Sequence, residues 1–142
     1  MPMLSLTLVK EVKSYHTLVL LITGGGFGGY GLNSTELYLP SIGTSCSLPN
    51  LPDIRLGHTV DNDILCGGSQ TLDTCLQWNP DTGNWQQSSV KLNYERYDHV
   101  SWSPKSGTGI YLMGGDSYPK TTTLIKPDWT QEPDFQLKYE RM

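Results

Sequence analysis

A chain of 142 residues is long enough for one domain with a substantial core, and 37% apolar with 17% charged residues is the composition expected of a soluble globular protein. Fifteen glycines, nine prolines and no alanine, beside frequent Thr, Tyr, Val, Ile and Trp, favour turn-rich pleated strands over long helices, so an all-β fold is expected. A net charge of −4 without a Lys/Arg run argues against a nucleic-acid partner, and the most apolar run, Leu18 to Ile22, is too short to cross a membrane.

In chain order, residues 1–12 read as an N-terminal segment without a signal-peptide pattern. A first unit spans 13–54 and contains LLITGGGFGG at 20–29. Its Gly24, Gly26 and Gly29 are spaced G-x-G-x-x-G, which in a nucleotide enzyme is followed by a helix and, about 20 residues on, an acidic side chain. Here YGLNSTELYLPSIGTS follows, rich in breakers and without a helical period, so the glycines read as a turn. No turn residue separates the first two strands of HTLVLLITGG, which predicts an inner strand that is lost or fused; Cys46 stands where later units have Trp.

The second unit, 55–95, predicts four strands near 57–60, 63–66, 74–78 and 84–88, with turns at Asp61-Asn62-Asp63, Gly67 to Leu72 and Asp81-Thr82-Gly83. The third unit spans 96–140, and Arg141-Met142 read as the start of a fourth. Three frames repeat. A basic residue precedes a histidine by three at Lys13/His16, Arg55/His58 and Arg96/His99. An apolar run ends in paired glycines, taken as Gly25-Gly26, Gly67-Gly68 and Gly114-Gly115. Then ELYLP, TCLQWNP and TTLIKP each end a strand in proline, and Trp85 and Trp129 follow a turn.

Units of this size, with four strands, a double glycine closing the second strand and a following aromatic residue, resemble the Kelch repeat of β-propellers. The resemblance covers about residues 13–142 and implies three four-stranded antiparallel blades of a partial propeller. It also implies that each glycine pair lies close to neighbouring backbone. Three units cannot close a ring of about four to eight blades, so the remaining blades of a longer parent chain, or self-association, are expected partners.

His16, His58 and His99 occupy one repeat position in successive units. Facing sheets lie about 10 Å apart and zinc–nitrogen bonds are about 2 Å, so a structural role is expected rather than a metal site. No cofactor motif and no nucleophile frame stand out, which points away from an enzyme. Cys66 and Cys75 flank one inter-strand loop; a disulfide and a pair of buried thiols are the two readings. Three cysteines favour a reducing cytoplasm, while the triplet Asn33-Ser34-Thr35 fits an extracellular alternative.

By position, the Kelch resemblance implies a loop face carrying Phe27, Tyr30 and Asn33, then Ser69 and Gln70, then Asp116, Ser117 and Tyr118, beside Arg55 and Arg96, with Lys13 and Arg141 at the ends. Exposed Arg with aromatics is a hot-spot composition; the competing reading has each Arg bonding carbonyls of its own turn. A non-catalytic module binding a protein or peptide is the expected function. A secreted carbohydrate-associated or galactose-oxidase-like propeller, and a nonfunctional partial copy, are the alternatives.

Overall fold

Short runs of β-branched and apolar residues, broken by Gly, Pro, Asn and Asp, divide the chain into strands of two to eight residues joined by turns and short loops. The computed structural model describes residues 6–12, 17–28, 30–61, 63–69, 73–105, 107–116, 120–132 and 135–138. In order these form β1 (Leu6–Val12), β2 (Thr17–Thr23), β3 (Gly26–Phe27), β4 (Tyr30–Gly31), β5 (Thr35–Leu39), β6 (Thr44–Leu48), β7 (Thr59–Asp61), β8 (Ile64–Cys66), β9 (Thr74–Asn79), β10 (Asn84–Lys91), β11 (Val100–Trp102), β12 (Ile110–Met113), β13 (Thr121–Ile125) and β14 (Phe135–Gln136). No helix occurs among the described residues, so the fold is all-β.

The strands make three four-stranded antiparallel sheets, ordered β1-β2-β5-β6, β7-β8-β9-β10 and β11-β12-β13-β14. A two-stranded hairpin, β3-β4, rises from the loop between β2 and β5. The first strands of the sheets are neighbours, β1 beside β7 and β7 beside β11. Period-two alternation gives each sheet two faces, and the facing apolar sides form two cores. Leu21, Leu51, Val60, Leu65, Leu76 and Trp85 fill the junction between the first and second sheets. Ile64, Cys66, Cys75, Val90, Leu92, Ile110, Leu112 and Ile125 fill the next. Burying each such side chain contributes about 1.5–3 kcal/mol before entropy is counted.

The first unit differs from its expected form in three ways. Its inner strand is neither lost nor fused: Leu6–Val12, placed outside the repeat by the sequence frame, pairs with β2 from Leu6↔Ile22 to Val12↔Thr17. The glycine pair in register is Gly24-Gly25, not Gly25-Gly26. Gly24 and Gly25 have φ of 53° and 95°, matching 67° and 95° at Gly67-Gly68 and 68° and 104° at Gly114-Gly115. Three consecutive glycines leave the frame ambiguous in sequence, and only backbone geometry resolves it. Finally, Ser45 faces Tyr38 across β5 and β6 as Trp85 faces Trp78 across β9 and β10, so Ser45 and not Cys46 takes the tryptophan's place.

Trp129 does not match Trp85, which lies in β10. It lies in the turn after β13 with a left-handed φ of 65°, and Gln131 occupies the bridge position opposite Ile125. Its ring nonetheless packs against the core between the second and third sheets.

Candidate functional site: the loop face and the clasps beneath it

Each double glycine turns the chain out of the second strand of its sheet with both residues at positive φ, a conformation that favours glycine. The second glycine then donates its N–H across the junction: Gly25 to the Arg55 carbonyl and Gly68 to the Arg96 carbonyl, both at 2.8 Å. A Cβ on Gly24 or Gly67 would collide with those same carbonyls. The next sheet therefore sits directly on the glycines of the preceding one.

The arginine side chains turn back into their own sheets. Arg55 donates from Nη1 to the carbonyls of Gly67 at 2.7 Å and Thr74 at 3.0 Å, and from Nη2 to Thr74 Oγ1 at 2.8 Å. Arg96 repeats the pattern on Gly114 and Thr121 and adds Thr123 Oγ1 at 3.0 Å. Both arginines are 0% exposed. Burial pushes Arg55 down to about 10, against the opposing pull of Asp53, so it keeps its charge at neutral pH. Arg55 and Arg96 are thus not partner-binding residues. The cause is simple: the turns between second and third strands leave the carbonyls of Gly67 and Thr74, and of Gly114 and Thr121, pointing inward, and a guanidinium reaches two at once.

Three residues after each arginine, the histidine crosses the junction. His58 Nε2 shares a hydrogen bond with Thr23 Oγ1 at 2.7 Å, and His99 Nε2 with Thr59 Oγ1 at 2.9 Å. Burial, then the nearby Arg55, lowers His58 to about 4; burial, then Arg96 and His58, lowers His99 to about 3. Both rings are neutral at physiological pH and join sheet to sheet.

Cys66 and Cys75 face each other across β8 and β9 and form a disulfide, with Cα atoms 4.2 Å apart. The reading as buried thiols gives way to the bond because the register places them directly opposite. Thr23 and Thr35 hold the same cross-strand position in the first sheet, and Met113 and Thr122 in the third. Among the described residues no group of three or more His, Cys, Asp and Glu is arranged to hold a metal ion.

Above the clasps lies the face made by loops between second and third strands and by the segments joining consecutive sheets. Tyr30 stands 79% exposed at the hairpin tip. Gly31 in that hairpin has no room for a Cβ because Ile54 packs on it, and Gly26 rests on Leu56. Leu32 and Ile54 complete an exposed apolar patch. Asn33 is half-buried and donates to the Leu51 carbonyl at 3.2 Å, so it ties the loop rather than offering its amide outward. Across the next junction, Asp98 donates its backbone N–H to the Gly57 carbonyl at 2.7 Å, while within the second and third units Ser69 and Asp116 donate theirs to the carbonyls of Leu56 and Tyr97. The Tyr97 hydroxyl donates to the Asp116 carboxylate, and that bond holds the phenol's pKa up.

Lys13, His16, Gln70, Ser117, Tyr118 and Arg141 lie outside the described residues. Sequence reasoning missed Ile54, Tyr97 and Asp98. A signal existed, since they lie within two residues of Arg55 and Arg96, but the repeated arginines are the more conspicuous feature of the sequence.

No family model matches the chain, and no curated protein matches it. Among solved structures it is similar to YjhT, with a TM-score of 0.66 and 16% sequence identity; the match covers 87% of this chain and 50% of YjhT. The chain therefore spans about half the length of that neighbour, and the likeness is one of fold.

Proposed function

We propose that the chain is a Kelch-type propeller module without catalytic activity that binds a protein or peptide through its loop face. The observation that carries this reading is the division of labour on that face. The arginines and histidines are consumed beneath it, while Tyr30, Leu32 and Ile54 remain exposed together with Glu95, Asp98 and Asp116. Aromatic and apolar side chains on a rigid scaffold favour partner binding. With the arginines buried, the preferred ligand shifts from a carboxylate or phosphate group to a peptide pairing an apolar residue with Lys or Arg.

Selection of a displayed random-peptide library on the purified chain tests this. Enriched peptides should carry a basic and an apolar residue, and Tyr30→Ala and Asp98→Asn should each weaken binding about tenfold, on the order of 1.4 kcal/mol. Enrichment of nothing, or peptides indifferent to both substitutions, would remove the loop face as the site.

A second reading, a secreted carbohydrate-associated or oxidase-like propeller, is favoured by one feature. The Cys66–Cys75 bond suits an oxidising compartment better than a cytoplasm. One equivalent of copper in the purified protein would support it.

A further inference from the structure

In every sheet the loop between second and third strands is closed at its mouth by one backbone bond. Gly24 donates its N–H to the Ser34 carbonyl at 2.8 Å, Gly67 to Thr74 at 3.0 Å and Gly114 to Thr121 at 2.9 Å. Arg55 and Arg96 hold the carbonyls of the second and third mouths from within. One rung further down the strands, the second sheet adds the Cys66–Cys75 bond, where the first has Thr23 and Thr35 and the third Met113 and Thr122. The sister sheets keep their mouths shut without a covalent link. The disulfide is surplus to loop closure.

Its surroundings give it another role. Both sulfurs are buried in the core that joins the second sheet to the third, against Val90, Leu92, Ile110, Leu112 and Ile125. They take no part in the core between the first and second sheets. A reductant therefore reaches the bond when the third sheet lifts from the second. Two thiols fill more space than one disulfide, and in a close-packed interior the neighbours must yield that space. Ile110, Leu112 and Ile125 belong to β12 and β13, so reduction presses on the third sheet.

The junction histidines bear the same mark. A Cβ on Gly24 would strike the His58 ring and one on Gly67 the His99 ring, so the two rings sit alike. His58 reaches the hydroxyl of Thr23, the residue before its glycine. Cys66 is the matching residue for His99, but its sulfur is held in the disulfide, and His99 reaches Thr59 on the neighbouring strand instead. Reduction returns a donor, the Cys66 thiol, to the place that Thr23 fills in the first junction.

We propose that the Cys66–Cys75 bond is a redox switch for the junction between the second and third sheets, opened by a dithiol reductant and closed again by a disulfide oxidant. In the opening step a thiolate of the dithiol attacks one sulfur and forms a mixed disulfide, and the reductant's second thiol then displaces it. The protein's S–S bond breaks, two electrons and two protons pass to Cys66 and Cys75, and the reductant leaves as a disulfide. The reduced chain keeps its three sheets and its arginine-held mouths, and it loses the tight clasp between the Gly68 N–H and the Arg96 carbonyl. The switch rests on the junction geometry, not on what the loop face binds.

Dithiothreitol acting on the folded chain tests each step, in a Cys46→Ser background so that the exposed third thiol takes no part. Circular dichroism of the reduced chain should keep its strand signal. Amide exchange at Gly68 should quicken about tenfold, while Gly25, which donates to Arg55 across the first junction, is unchanged. His99→Gln should speed reduction about tenfold, and His58→Gln by less than about twofold. Oxidised glutathione should then restore slow exchange at Gly68. A bond that resists dithiothreitol until the chain unfolds, a reduced chain that loses its sheets, equal exchange at Gly68 in both states, or equal acceleration by the two histidine variants would each overturn the proposal.

Discussion

Gly67 and Gly83 have nearly the same backbone, with φ of 67° and 66°, and opposite surroundings. Gly83 sits in the turn between β9 and β10, where an added Cβ would meet nothing within 4 Å. Gly67 sits at a sheet junction, where a Cβ would strike the Arg96 carbonyl and the His99 ring. Gly83 serves a turn; Gly67 serves an assembly. What distinguishes the junction from the outer edge is a requirement for space and for converging hydrogen bonds, beyond the local conformation that both share.

Substitutions can break that contrast. The largest effect is expected from Arg96→Ala, which removes the guanidinium donors from the Gly114 and Thr121 carbonyls and from the Thr121 and Thr123 hydroxyls. Urea denaturation should show a loss of about 3–5 kcal/mol. A loss under about 1 kcal/mol would mean that water replaces the guanidinium without cost.

The glycine pair itself comes next. Gly67→Ala should cost about 3 kcal/mol, from the left-handed backbone and the collision together, against about 1 kcal/mol for Gly83→Ala, from the backbone alone. Equal costs would erase the distinction between junction and turn.

The disulfide sharpens the same comparison from inside the second sheet. Cys66 and Cys75 are 1% and 0% exposed in the core shared with the third sheet. Replacing both by Ala should lower stability by about 2–3 kcal/mol for the short loop they close, with a further loss from the core they fill. A thiol titration of the unreduced, unfolded chain should find Cys46 alone reactive.

Acid should loosen the junctions before the turns. His58 and His99 are held at about 4 and 3, below the ordinary histidine value near 6.5. The unfolded chain therefore binds more protons between those values, and stability, full above about pH 6.5, falls as pH drops toward 4. Each ring contributes a slope of up to about 1.4 kcal/mol per pH unit. His58→Gln with His99→Gln should flatten the curve in that window.

The four strands of the second sheet were legible from alternation and turn residues, because Asp-Thr-Gly and the spacing of Thr74 to Trp78 are local signals. The first sheet was not. β1 has a register shift between Val9 and Val12, and it precedes the His16 that the repeat frame took as a start. The glycine triplet hid the register, and Trp129 kept its packing role from a different backbone position. Repetition marked Arg55 and Arg96 as special without showing their depth. A residue repeated at every junction is equally consistent with display and with burial, and only the inward carbonyls of Gly67 and Gly114 decide between them.

Amide hydrogen exchange at individual glycines tests the junction clasp most directly, since it reads the donors themselves. Gly25 and Gly68 donate to the Arg55 and Arg96 carbonyls of the following sheet, and Gly28 lies exposed at the hairpin tip. The expected result is that Gly25 and Gly68 exchange as slowly as the core strands while Gly28 exchanges near the rate of a free peptide. Gly68 exchanging as fast as Gly28 would contradict it.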